Sequence, residues 1–94
     1  MSVRAKFKVD GIERSMTSVD NGNKDENGRA IYEPAELQTV VLSPVYANND
    51  PEHENSKFWR YSPTGQVKLG TINESAARYF EIGAEYYIDF TKAG

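Results

Sequence analysis

Val3, Ala5, Phe7 and Val9 alternate with Arg4, Lys6, Lys8 and Asp10. A period of two over eight residues is the signature of a half-buried strand. One face of that strand is apolar, and the other carries three cations in a row. Gly11 is expected to bend or bulge the strand, with Ile12 continuing it. The same period returns near the other end of the chain, where Tyr86, Ile88 and Phe90 alternate with Tyr87, Asp89 and Thr91.

Between these ends the pattern changes several times. Residues 16–34 are rich in Asn, Asp and Gly and hold no sustained period, which predicts a long surface loop or an extended, mobile hairpin tip. Asn21-Gly22 and Asn27-Gly28 are good turn dipeptides. Residues 17–35 are therefore expected to be a flexible loop or insertion within a single domain spanning 1–94. Residues 37–46 (LQTVVLSPVY) are nearly continuous in apolar and β-branched residues, so a strand covered on both faces for part of its length is expected. Pro44 belongs at a strand end, edge or bulge. A second polar loop follows over 47–56, with Asp50-Pro51 starting a turn.

Residues 57–61 read as a strand again, Ser62-Pro63-Thr64-Gly65 as a tight turn, and 66–72 as the returning strand. Asn73 is a good N-cap, with Glu74 in the first turn. Ala76, Ala77, Tyr79 and Phe80 share one side of a helix of about ten residues. Gly83 is expected to end that helix in the left-handed region. The predicted fold is mainly β (α+β): a small antiparallel curled sheet, or an OB-like barrel of about five strands, with one short helix before the last strand.

Composition closes off several functional classes. With no cysteine in 94 residues, disulfides and thiolate chemistry are excluded. No apolar run has the length of a membrane helix, and the N-terminal residues lack the apolar core of a signal peptide, so a cytoplasmic protein without a membrane partner is expected. Residues 23–34 mimic the start of a calcium loop, but the twelfth position is Pro34 and Glu33 comes one place early. His53, the one histidine, sits among Asp50, Glu52 and Glu54 and reads as part of a solvated acidic loop. No nucleophile, phosphate loop or metal constellation stands out, so neither enzyme activity nor a cofactor or metal is expected.

A binding surface is the better expectation. Arg4, Lys6 and Lys8 line one strand face. Lys57, Trp59, Arg60, Tyr61 and Lys68 gather on the anticipated hairpin of residues 57–68. Cations beside large rings suit single-stranded nucleic acid, whose bases stack while its phosphates pair. Alternating cations are equally the ordinary solvent face of a strand. The acidic loops and net charge of −3 suit a protein partner at least as well.

The segments RAKFKVDGI, QTVVLSPVYANNDPEHENSKFW, PTGQVKLGTIN and FEIGAEYYIDFTKA resemble a family of small proteins encoded by tailed bacteriophages, with residues 16–36 as an insertion of variable length. No catalytic residues come with the resemblance. It implies a phage accessory protein in the bacterial cytoplasm or a minor virion component. The leading expectation is a host-interaction or defence-inhibitor protein acting through a protein-binding surface. Single-stranded nucleic-acid binding and a minor virion role are the alternatives, and a homo-oligomer through an edge strand is allowed.

Gly83 supplies the first test. Gly83→Val is expected to lower the melting temperature markedly if the residue is left-handed, and an unchanged value would refute that conformation.

Overall fold

The computed structural model describes residues 2–47, 50–60 and 62–94. Its elements run β1 (Ser2–Lys24), β2 (Ala30–Pro44), α1 (Glu54–Trp59), β3 (Val67–Thr71), α2 (Glu74–Ala77) and β4 (Glu85–Thr91). The four strands form one antiparallel sheet in the order β3-β2-β1-β4. The protein is thus mainly β, as its alternating segments require. The sheet is open, with four strands where about five were expected, and β3 and β4 occupy opposite edges instead of closing a barrel.

The N-terminal alternation forms as read. Cross-strand partners share a face, so the register Phe7↔Pro44, Val9↔Leu42 and Ile12↔Val40 collects these side chains on one side. Val9 and Ile12 can share a face only because the register shifts between Val9 and Gly11, which inserts Asp10 as a bulge. Ala5, Phe7, Val9, Val40 and Leu42 are buried and form the core. Ile12, Trp59, Val67, Phe80, Tyr86 and Ile88 pack around them. This side is here termed the packed face, and the opposite side, carrying Lys6, Lys8, Thr39 and Val41, the open face. Leu37 lies across Gly70 on the open face, its Cδ1 only 3.3 Å from where a Cβ on Gly70 would stand.

Residues 17–35 depart from the expected loop. They continue β1 and β2 as a paired ribbon through Lys24↔Ala30, which corresponds to the extended-hairpin form of that reading. Period two is weak here because neither face of the ribbon is covered, so polar side chains are tolerated on both. Its tip is a three-residue turn: Gly28 donates to the Asp25 carbonyl and takes φ +77. A second irregularity places Asn21, Gly22 and Asn23 opposite Ile31 alone, with Gly22 at φ +86. The ribbon reaches well beyond the body, giving extents of 63 × 33 × 20 Å. The radius of gyration is 18.3 Å, against about 12 Å for a compact chain of this length.

The expected strand over 57–61 is a helix. α1 starts where His53 Nδ1 accepts the Asn55 N–H at 3.0 Å, with Glu54 in its first turn and Lys57 in its last. It ends at Arg60, whose φ of +71 is unusual for a residue with a Cβ. At six residues it is too short to display a helical period, and its aromatic run imitates a strand. The anticipated hairpin of 57–68 therefore does not exist, because β3 pairs with β2 instead. α2 is capped by Asn73, whose Oδ1 accepts from Ser75 and Ala76, but it spans four residues rather than about ten. Phe80 leaves the helix to cover the core. Gly83 is left-handed, at φ +90, in a turn closed by Ala84 N–H to the Glu81 carbonyl, and so opens β4 instead of ending α2.

Asn55 ties α1 to the sheet. β2 ends at Pro44, one residue after which Val45 makes a last bond to the Lys6 carbonyl. From there Asn55, 1% exposed, takes the place of a strand. Its Oδ1 accepts the Lys6 N–H at 2.6 Å, and its Nδ2 donates to the carbonyls of Lys6 at 2.8 Å and Val45 at 2.7 Å. Asn55→Leu orphans the Lys6 N–H and the Val45 carbonyl, while the Lys6 carbonyl keeps the Val45 N–H, and is expected to cost about 3 kcal/mol, measured by urea denaturation. A change within about 0.5 kcal/mol would show that water replaces the amide without penalty.

Candidate binding surfaces

On the open face, each β1 cation meets a β4 side chain. The register sets Arg4 opposite Asp89, Lys6 opposite Tyr87 and Lys8 opposite Glu85. Arg4 grips Asp89 with two bonds, Nε to Oδ1 at 2.7 Å and Nη2 to Oδ2 at 3.1 Å. Its guanidinium also lies over the Tyr87 ring, 4.6 Å from the centroid, and the Lys6 ammonium lies 5.2 Å from the same ring. The Tyr87 hydroxyl donates to Glu54 Oε1 at 3.1 Å.

This network moves three titrations. The bond and charge of Asp89 hold the Arg4 guanidinium above its ordinary value. The same bond holds the Asp89 carboxyl below the usual carboxylate value. Glu54 is held low first by its own backbone N–H at the helix start and then by the Tyr87 hydroxyl. The cation row is thus largely balanced by acids at its own edge of the sheet.

The sequence-predicted residues divide between faces. Arg4, Lys6, Lys8 and Lys68 share the open face, with Lys68 two strands away opposite Val41. Trp59 lies on the packed face, half-buried, its ring 5.9 Å from Phe7 and 4.5 Å from Phe58, and its Nε1 donates to the Thr64 carbonyl. Lys57 is exposed on α1 and pairs with Glu52 at 3.4 Å. Arg60 is exposed at the end of α1, and Tyr61 lies outside the described residues. The predicted cations and Trp59 therefore do not form one surface. The aromatic that the cations meet is Tyr87. The signal for it was available, since antiparallel pairing of the two alternating terminal segments sets Arg4, Lys6 and Lys8 against Glu85, Tyr87 and Asp89.

The packed face carries a second surface. Leu42, Val67 and Leu69 on one side and Phe80, Tyr86, Ile88 and Phe90 on the other border an open apolar groove of about 780 Å³. Tyr79 stands at its rim, with the Tyr86 hydroxyl donating to the Tyr79 carbonyl and accepting the Glu81 N–H. Several apolar side chains here stay in contact with solvent: Tyr79 is 71% exposed, Phe90 50% and Leu69 49%. Val3 opposite Phe90, and Phe58 at 6.3 Å from the Phe90 ring, extend the exposed apolar band toward α1.

The loop with a likeness to calcium sites is occupied by its own backbone. Asp25 Oδ1 accepts from the N–H groups of Asn27 and Arg29, and so shapes the turn. Among the described residues, no group of three or more His, Asp or Glu side chains is placed to hold a metal ion. No helix among them is long and apolar enough to cross a membrane.

Because the folded-state value of Asp89 is lowered, its contribution to stability is complete above the ordinary value of 3.8 and is lost as pH falls through the lowered one. In Arg4→Gln the Asp89 carboxyl is expected to titrate at higher pH, followed by carboxyl NMR, and the acid limb of the stability curve to flatten. An unmoved Asp89 would mean that the ion pair does not persist in solution.

No protein-family model, curated protein or solved structure matches this chain.

Proposed function

We propose that this chain is a non-enzymatic accessory protein of a tailed bacteriophage that works in the host cell by seating another protein on the packed face of its sheet. The phage context rests on the resemblance of the segments quoted above. The observation that carries the binding role is the exposed apolar band around the groove, formed by Leu69, Tyr79 and Phe90 with Val3 and Phe58 beside them. A monomeric soluble protein rarely leaves so many contiguous large apolar groups in water without a partner to cover them.

The chemistry of the groove narrows the partner. Among the described residues the packed-face side chains that line it are uncharged, because Glu85 and Asp89 turn to the open face, and the lack of a cation disfavours a phosphate-bearing ligand. A polypeptide offering aliphatic or aromatic anchors fits such an uncharged apolar groove. For single-stranded nucleic acid the specific support is Tyr87, half exposed between Arg4 and Lys6. The acids Asp89, Glu54 and Glu85 beside it oppose that reading. The projecting ribbon supports a minor virion role as the second reading, because an arm reaching far from its own body is suited to gripping a neighbouring subunit.

Site-specific photo-crosslinking separates these readings. A photoreactive phenylalanine at Leu69 or Phe90 is expected to capture one discrete host or phage protein, and one at Lys68 on the open face is expected to capture none. Leu69→Lys and Phe90→Ser are expected to abolish binding of that protein once purified, while the variants stay folded. Capture from Lys68 alone, or binding that both variants leave intact, refutes the packed face as the seat. A labelled oligonucleotide bound at low salt and lost in Tyr87→Ala would favour the nucleic-acid reading instead.

A further inference from the structure

Beyond the body, residues 15–24 and 30–37 form a ribbon of only two strands. A two-stranded ribbon is marginal by itself in water, and among the described residues no strand pairs with either of its long edges. The two edges differ. The outer edge of β2 is interrupted by Pro34, which has no N–H to offer a further strand. Past Val9, whose N–H and carbonyl bond to Ala84 and Gly83, the outer edge of β1 holds no proline from Asp10 to the tip at Lys24. Natural sheets usually block an edge of that length.

We propose that this free edge of β1 pairs antiparallel with the same edge of a second copy, about a two-fold axis at Thr17, joining two ribbons into one four-stranded sheet. Thr17 is the midpoint of the free edge, so this register uses its whole length. Through their β2 partners, Arg14, Met16, Ser18 and Asp20 lie on one side of the ribbon, and a two-fold axis normal to the sheet keeps like sides together. Pairing about Thr17 sets Arg14 of each copy opposite Asp20 of the other.

Charge decides against the neighbouring registers. Residues 13–36 hold six Asp and Glu against three Lys and Arg, so the arm carries the whole net charge of −3. Two such arms repel unless their charges interleave. Centring on Met16 sets Arg14 opposite Ser18 and Asp20 opposite Ile12, and centring on Ser18 sets Asp20 opposite Met16, so neither brings opposite charges together. Among these registers the Thr17 one alone sets Arg14 and Asp20 opposite one another. In the single chain Arg14 has just a loose contact with Glu36, 3.9 Å apart and exposed to solvent, which leaves it available for the second copy.

This inference does not rest on the groove as a binding seat, and it is tested on the purified chain alone. Sedimentation equilibrium is expected to give a concentration-dependent dimer. Arg14→Asp and Asp20→Lys each place like charges opposite one another twice, and each is expected to weaken the dimer roughly tenfold or more. An equimolar mixture of the two variants restores opposite charges at both positions and is expected to recover the dimer. Asp20 also accepts the Gly22 N–H at 2.9 Å, so Trp59 fluorescence checks that the variants fold. Amide exchange on the unaltered protein gives a readout without mutation, in which protection across residues 14–20 rises with protein concentration. A chain that remains monomeric up to roughly 1 mM, a dimer that both variants leave intact, or a mixture that fails to recover overturns the proposal.

Discussion

The side-chain amide of Asn55 replaces a strand where the sheet runs out of one, and much of the body depends on that substitution. β2 must stop at Pro44, because proline cannot extend the ladder and the chain then turns away. Lys6 would be left with an unpaired N–H beside a buried core. Asn55 supplies a donor and an acceptor at the spacing of a peptide group, and it binds the same residue through both. It also fixes α1 against β1. That position brings Trp59 onto Phe7 and Glu54 within reach of Tyr87. One buried amide thus organises one end of the packed face and one end of the charge network.

The sheet is essentially a single layer. Two short helices and the Phe80 segment cover only part of one face, and among the described residues no element is packed on the other. This explains why few side chains are fully buried while many large apolar ones remain in contact with solvent. Each buried aliphatic or aromatic group contributes roughly 1.5–3 kcal/mol, so a core of this size leaves a modest margin. Burial of the exposed band by another protein, and pairing of the ribbon edge, both supply contacts that the isolated chain lacks. The proposed protein-binding role and the proposed dimer therefore answer the same physical deficit at two separate places.

The open face shows how tertiary pairing revises a surface read from one strand. Arg4, Lys6 and Lys8 look like a basic stripe along β1. β4 then brings Asp89, Tyr87 and Glu85 alongside, and most of the stripe's field is spent within the protein. Trp59, expected to stand with those cations, is instead turned onto the core by α1. Local sequence could not reveal this. A six-residue helix has no measurable period, and what places it is a contact between Asn55 and a backbone 49 residues away.

By itself the sequence determined the features set by local geometry. Alternation specified the strands at both ends and which of their residues share a face. Gly11 marked a bend or bulge, Pro44 a strand end, edge or bulge, Asn73 a helix start and Gly83 a left-handed residue. These follow from backbone sterics and side-chain periodicity, which act over a few residues. The tertiary structure decided what depends on distant partners: that the polar segment of 17–35 pairs as a ribbon, that 54–59 is helical, and that the sheet stays open with four strands. It also decided that the cations and Trp59 part company and that a groove opens beside Leu69, Tyr79 and Phe90. Those outcomes are set by which strands neighbour each other and by which face each helix covers, and no short stretch of sequence encodes either one alone.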